Sequence, residues 1–240
     1  MIDWLRSDML APELELGERI LPITLRRHPR ARRLTLRLAP DGSEVRITLP
    51  RWARSAEAIA FAHARREWLG AQLAKLPQRS RPVPDGTLQF RGVPLAIRWD
   101  KGLPRRPRLE AAEITLGGPL ASLETRLRRW FEQQALELFE ADASHYCAAA
   151  EIDPVPVALS RAQRRWGSCS DKRLIRINWR LVQAPDHVRR SVVAHEVTHL
   201  LHFNHSPAFH QTLGRIFDGD LAEADAWLKA HGRSLYSSFG

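Results

Sequence analysis

The chain has 240 residues and a net charge of +10, with 44% hydrophobic and 27% charged residues. Its length suits one large domain or two small ones, and its composition belongs to globular proteins rather than disordered or fibrous ones. Only two cysteines occur, Cys147 and Cys169, which excludes a disulfide framework and a multi-cysteine zinc ribbon and leaves any metal to histidine and carboxylate.

The first residues, MIDWLRSDMLAPELELGE, are acidic where a signal peptide would be basic and then apolar. No run approaches the ~18 apolar residues that span a bilayer. The expectation is a cytoplasmic protein with no membrane partner. Leu34, Leu36 and Leu38 alternate with polar residues, Pro40-Asp41-Gly42-Ser43 supplies a turn, and Val45, Ile47 and Leu49 alternate again, which predicts a hairpin with one buried face. Ser55 then caps a helix running to about Leu76, with Ile59, Ala62, Leu69, Leu73 and Leu76 at helical spacing, and the stretch Pro77 to Gly86 ends it.

Leu95, Ile97 and Trp99 alternate as a strand, and Leu109 to Leu116 reads as another. Gly117-Gly118-Pro119 breaks the pattern and is taken as a domain boundary, giving an Arg-rich, mainly β region with one helix over 1–118 and a second domain over 119–240. From Leu120 to Ala150 a long helix is predicted with a stripe of Leu123, Leu127, Trp130, Gln134, Leu138 and Ala141, stopped by Asp153-Pro154-Val155-Pro156. Residues 1–118 carry 22 Lys+Arg against 13 Asp+Glu, and residues 119–240 carry 15 against 14. That asymmetry suggests an acidic partner for the N-terminal half, nucleic acid or an acidic protein surface, against the plainer alternative of a solvated arginine face.

The chemistry is concentrated in His195-Glu196-Val197-Thr198-His199. On a helix, positions i and i+4 lie about 40° apart, so both imidazoles can converge on one ion, while Glu196 sits about 60° further round and can reach a water on that ion without ligating it. The segment Pro185 to Leu201 reads as a buried helix, because Val188 and Val192 share the histidine face and Val193, Val197 and Leu200 line the opposite one. Buried histidines and a buried carboxylate need partners, and a divalent metal provides one for all three. Catalytic zinc takes three protein ligands and keeps a position for water. His205 is the preferred third ligand, since Asn204 and Ser206-Pro207 suggest a turn there; His202 or a distant acidic residue compete for the role.

The run His195 to Ser206, preceded by Arg165-Trp166-Gly167-Ser168-Cys169-Ser170 and Ile177-Asn178-Trp179-Arg180-Leu181, resembles the YgjP-like metallopeptidases, zincins related to the SprT and Wss families. The resemblance covers nearly the whole chain. It implies an α+β fold in which a zincin-like domain with an active-site helix follows a β-rich N-terminal half, with zinc on His195, His199 and His205 and a catalytic Glu196. The family pattern commonly has Trp after the Phe that follows the His-Ser pair, whereas here Phe209 is followed by His210.

The expected reaction is hydrolysis of a peptide or protein substrate by a zinc-activated water, with Glu196 as general base. His202, His210 and Tyr236 are the candidates for oxyanion stabilisation. A Cys169 nucleophile is rejected for want of an accompanying Asp or Asn motif; Trp166 is read as an anchor and Gly167 as a turn residue. Leu174 to Trp179 alternates as a strand that would bind extended substrate at a sheet edge. The competing functional class is a nucleic-acid-associated module with a structural metal, or a DNA-associated protease. An adjacent glutamate argues against a closed structural site, and aromatic residues for base stacking are sparse among residues 19–51.

Overall fold

The computed structural model describes residues 12–76 and 80–239. Most of the acidic N-terminal stretch (residues 1–11) and Pro77 to Arg79 of the predicted helix stop lie outside the described residues. The chain divides into two compact units, Met1–Gln78 and Arg79–Gly240.

In the first unit, strands β1 (Glu13–Leu16), β2 (Arg19–Arg27), β3 (Thr35–Leu38) and β4 (Val45–Leu49) form a sheet in the order β1-β2-β4-β3. The predicted hairpin is the antiparallel pair of β3 and β4, and β2 runs parallel to β4. Alternation places Val45, Ile47 and Leu49 on the buried face with Leu14, Leu16, Leu21 and Ile23. That face packs on Ala58, Ala62, Leu69 and Leu73. The single predicted helix is two, α1 (Ser55–Ala64) and α2 (Arg66–Ala74), because Arg65 leaves helical geometry at φ −105° and ψ 16°. The residue before α1 is Arg54, whose N–H is accepted by the Glu57 carboxylate at 3.3 Å.

The second unit opens with β5 (Thr87–Phe90), β6 (Val93–Trp99), β7 (Arg108–Glu110) and β8 (Glu113–Leu116), ordered β5-β6-β8-β7. The segment read as one strand over 109–116 is a hairpin, reversed at Ala111 with φ 53°. Helix α3 (Leu123–Ala149) follows, then β9 (Val157–Ser160), β10 (Gly167–Cys169) and β11 (Ile175–Asn178) in the order β10-β11-β9. Helices α4 (Asp186–Thr198), α5 (Pro207–Ile216) and α6 (Leu221–His231) complete the unit. The fold class is α+β, as expected. No helix among the described residues is long and apolar enough to cross a membrane.

The compact division falls at 78/79 rather than at the glycine break near 118. The reason is packing: Leu88, Phe90, Leu95, Ile97, Ile114 and Leu116 join the same core as α3 and α4, with the Phe90 ring 5.2 Å from Trp130 and 5.7 Å from Phe131. The β5–β6 turn is also tied to the start of α4. The Arg91 and Gly92 N–H groups donate to the carbonyls of Val182 (2.8 Å) and Gln183 (3.0 Å). Gly92 has φ 82°, and a Cβ there would lie 2.8 Å from the Cα of Pro185, so only glycine allows this approach. With the division at 78/79, the charge asymmetry shrinks: residues 1–78 carry 14 Lys+Arg against 9 Asp+Glu, and residues 79–240 carry 23 against 18, an equal net excess spread over a longer segment.

Two further expectations shift. The buried stripe of α3 starts on Leu123, Leu127 and Trp130 but continues through Phe131, Ala135, Phe139, Ala143, Tyr146 and Cys147, leaving Ala141 exposed. Strand β11 is central, hydrogen-bonded to β10 on one side and β9 on the other, so it has no free edge for substrate. The edge positions on either side of it belong to β10 and β9.

The first turn of α4 is held by charge. Arg189, 3% exposed at its side chain, donates to Asp142 of α3 at 2.7 Å and pairs with Asp186. Asp186 in turn accepts from Arg91 at 3.0 Å, so one buried guanidinium joins α3, α4 and the β5–β6 turn. Replacing it with an apolar side chain removes the 2.7 Å partner of Asp142 and leaves that carboxylate, at low exposure, with only Arg190 at 3.9 Å. Arg189→Met is expected to lower unfolding free energy by about 3–5 kcal/mol, read as a drop in denaturant midpoint at unchanged slope; a loss under about 1 kcal/mol would show that the pair does not hold the helix.

Candidate metal centre

Helix α4 carries His195 and Glu196 in its last turn and ends at Thr198, with His199 as the capping residue. The chain then tightens: Leu200 N–H donates to Val197 O at 3.0 Å, and Leu201 and His202 N–H donate to Thr198 O at 3.1 and 3.0 Å. Ser206 starts α5, its hydroxyl accepting from Phe209 N–H with Pro207 in the first turn. Ending one helix and starting the next within a few residues is what returns His205 to His195 and His199. The sequence reading ran the helix to Leu201; in the folded chain His202 lies in the turn instead.

One ring nitrogen from each of His195, His199 and His205 can be chosen so that all three lie within 4.8 Å of one another. The Nε2 atoms of His195 and His205 are 3.1 Å apart, close to the roughly 3.3 Å between nitrogens of a tetrahedral site with Zn–N distances of ~2.0–2.1 Å. His199 Nδ1 faces the His202 carbonyl at 2.9 Å. With Nδ1–H donating there, Nε2 carries the lone pair, the usual way a ligating imidazole is oriented. Burial, reinforced by the neighbouring His199, His205 and His210, pushes His195 down to about 4 and keeps it in the neutral form that binds metals. The donor set therefore fits a zinc ion.

Phe209, fully buried, lies beneath this cluster with ring centroids 4.9, 4.7 and 4.8 Å from those of His195, His199 and His205. It restricts all three imidazoles, a role that no spacing rule announces, although its place in the first turn of α5 after a histidine-bearing loop was a usable signal. His202, the other candidate ligand, is engaged elsewhere: its Nε2 lies 3.0 Å from Thr212 Oγ1 while its carbonyl orients His199.

Glu196 is 5% exposed, and its Oε2 has no hydrogen-bond partner among the described residues. Burial raises its carboxyl to about 7, opposed by the charge of Arg165 and by the Cys169 backbone N–H. The Arg165-Trp166-Gly167-Ser168-Cys169 segment owes its place to this carboxylate. A Cβ on Gly167 would clash with Glu196 Oε1 and come within 2.6 Å of Cγ and 2.7 Å of Cδ. Gly167 is thus a strand residue required for close approach, not the turn residue expected. Burial and the Glu196 charge both raise the Cys169 thiol, which disfavours a thiolate nucleophile and agrees with its rejection.

The Ile177-Asn178-Trp179-Arg180-Leu181 segment is a buried anchor. Asn178 Nδ2 donates to Ala162 O at 2.8 Å and its Oδ1 accepts from Arg180 N–H at 3.1 Å, and the Asn178 N–H donates to Trp166 O at 2.7 Å. The Arg180 guanidinium stacks between Trp179 and Tyr236, 4.8 and 4.5 Å from their centroids. Tyr236 is 4% exposed, with its hydroxyl 3.2 Å from Asn178 Nδ2. That places it in the anchor rather than among free oxyanion donors. His210, whose ring centroid is 6.5 Å from that of His205, stays beside the cluster.

Gly167→Ala is expected to lower stability by about 1–3 kcal/mol, the usual cost of overpacking, read as a drop in denaturant midpoint at unchanged slope. A variant as stable as wild type would mean that β10 does not confine Glu196.

No curated protein and no solved structure matches this chain. The model of the YgjP-like metallopeptidase domain matches residues 32–231, most of the chain, and the chain therefore belongs to the YgjP-like metallopeptidase family.

Proposed function

We propose that the protein is a zinc-dependent peptidase that hydrolyses peptide bonds with Glu196 as general base. The observation that carries this reading is the buried Oε2 of Glu196, without a hydrogen-bond partner among the described residues, on the helix whose two histidines converge with His205. A structural zinc site is closed by four protein ligands, and a carboxylate held beside three histidines without joining them has no use there. His195, His199 and His205 would hold the ion, which supplies Lewis-acid polarisation of a water and of the substrate carbonyl.

The chain's own residues do the rest. Glu196, raised to about 7, is poised to take a proton near neutral pH and return it to the leaving amine. The Cys169 N–H and Gly167 fix the carboxylate's position. Trp166 O accepts from Asn178 N–H and Ser170 N–H donates to Leu174 O, so the even-numbered residues face β11 and Gly167 turns its backbone groups to the outer edge. An extended peptide laid along that edge would place its chain beside Glu196. A peptide or protein substrate in an aqueous compartment such as the cytoplasm fits this arrangement.

Glu196→Gln preserves size and removes basicity. Zinc content and melting temperature should match wild type, while hydrolysis of a peptide library falls by about 10²–10⁴-fold or more. Near wild-type hydrolysis by a folded, zinc-loaded variant would sink the mechanism.

A further inference from the structure

We propose that the first unit carries a binding surface for single-stranded nucleic acid, built where the loop 28–34 and the loop 50–54 meet at one end of its sheet. The topology brings them together. Strands β2 and β4 are parallel, so their C-terminal ends lie at the same edge, and the chain leaving β2 must cross the end of β4 to reach β3. His28 N–H donates to Leu49 O at 3.0 Å. Arg27 fastens the two loops, donating to the carbonyls of Pro50 (3.3 Å), Arg51 (2.9 Å) and Ala53 (2.6 Å) and to the Ser55 hydroxyl (3.2 Å).

What this fastening presents is Trp52, 76% exposed, flanked in sequence by the exposed Arg51 and Arg54 and facing the same sheet end as the exposed Arg30, Arg32 and Arg33. None of these five arginines has an ion pair among the described residues. No carboxylate occurs between Arg19 and Pro40. Asp41 and Glu44 belong to the β3–β4 turn at the opposite end of the sheet, and Glu57 is engaged with the Arg54 N–H. A large exposed aromatic side chain on a loop fastened by Arg27, at a sheet end that also carries guanidinium groups with no ion pair among the described residues, matches the combination of base stacking and phosphate attraction that non-specific single-strand binders use. An acidic protein surface would satisfy the arginines but gives Trp52 no stacking partner. The sequence alone hid this pairing, because the aromatic residue lies beyond the arginine-rich run and only the parallel strand pair brings the two together.

The test is fluorescence anisotropy of the full chain with a labelled oligothymidylate of about 15 nucleotides, a duplex of equal length and a polyglutamate peptide. Five phosphate contacts to a single strand predict a log–log salt slope of about −3.5, hence roughly 100-fold weaker binding at ~200 mM than at ~50 mM salt. Trp52→Ala should weaken binding about tenfold at an unchanged slope, whereas Arg32→Glu with Arg33→Glu should flatten the slope, both variants keeping wild-type melting temperature and zinc content. Absence of binding at low salt, tighter binding to the duplex or to polyglutamate, or an unaffected Trp52→Ala variant would each overturn the proposal.

Discussion

Burying the Glu196 carboxylate is the constraint on which the candidate metal centre depends. A carboxyl group with little exposure and one oxygen unpartnered would cost several kcal/mol if left charged and alone. The fold meets that cost locally and incompletely: one backbone N–H from Cys169, the charge of Arg165, and a strand that approaches only because residue 167 is glycine. Full satisfaction would leave an inert carboxylate with a low proton affinity. The partial arrangement holds the group near 7, in the range useful to a proton acceptor that later becomes a donor.

From that carboxylate the supporting structure can be followed outward. Gly167 needs β10, β10 needs the central β11, and the end of β11 is fixed by Asn178 and the buried turn Trp179–Gln183. That turn receives the β5–β6 hairpin, and the hairpin's Arg91 reaches the first residue of α4 through Asp186. The helix that carries the histidines is therefore anchored at its start by charge and enclosed near its end by a strand. The N-terminal sheet of the second unit, which the sequence assigns to a separate domain, is part of what positions the histidine cluster.

His195, Glu196 and His199 could be singled out because helical spacing is a local property, and His205 because Asn204 and Ser206-Pro207 mark a turn beside them; the buried pattern of α4 followed from its two apolar faces. The zinc ligation and catalysis they suggest stand as the reading the geometry supports best. What local patterns could not give were relations between distant segments. Gly167 read as a turn residue because its true constraint, Glu196, lies 29 positions away in the sequence. Strand β11 read as an edge because strand order is not encoded in alternation. The Gly117-Gly118 break was real, yet the apolar faces on both sides of it share one core. The charge asymmetry shrank with that boundary, and the arginine cluster of the first unit is defined by sheet topology, not by the count of charges in a half.

The most direct measurement of the central claim is zinc K-edge X-ray absorption on the purified protein, compared with His195→Ala, His199→Ala and His205→Ala. The account predicts about three imidazole nitrogens at ~2.0–2.1 Å with one further light oxygen ligand in the wild type, and loss of zinc or of an imidazole shell in each variant. A sulfur shell near ~2.3 Å, or a wild-type spectrum retained in any histidine variant, would contradict the assignment of these residues as an open three-histidine site.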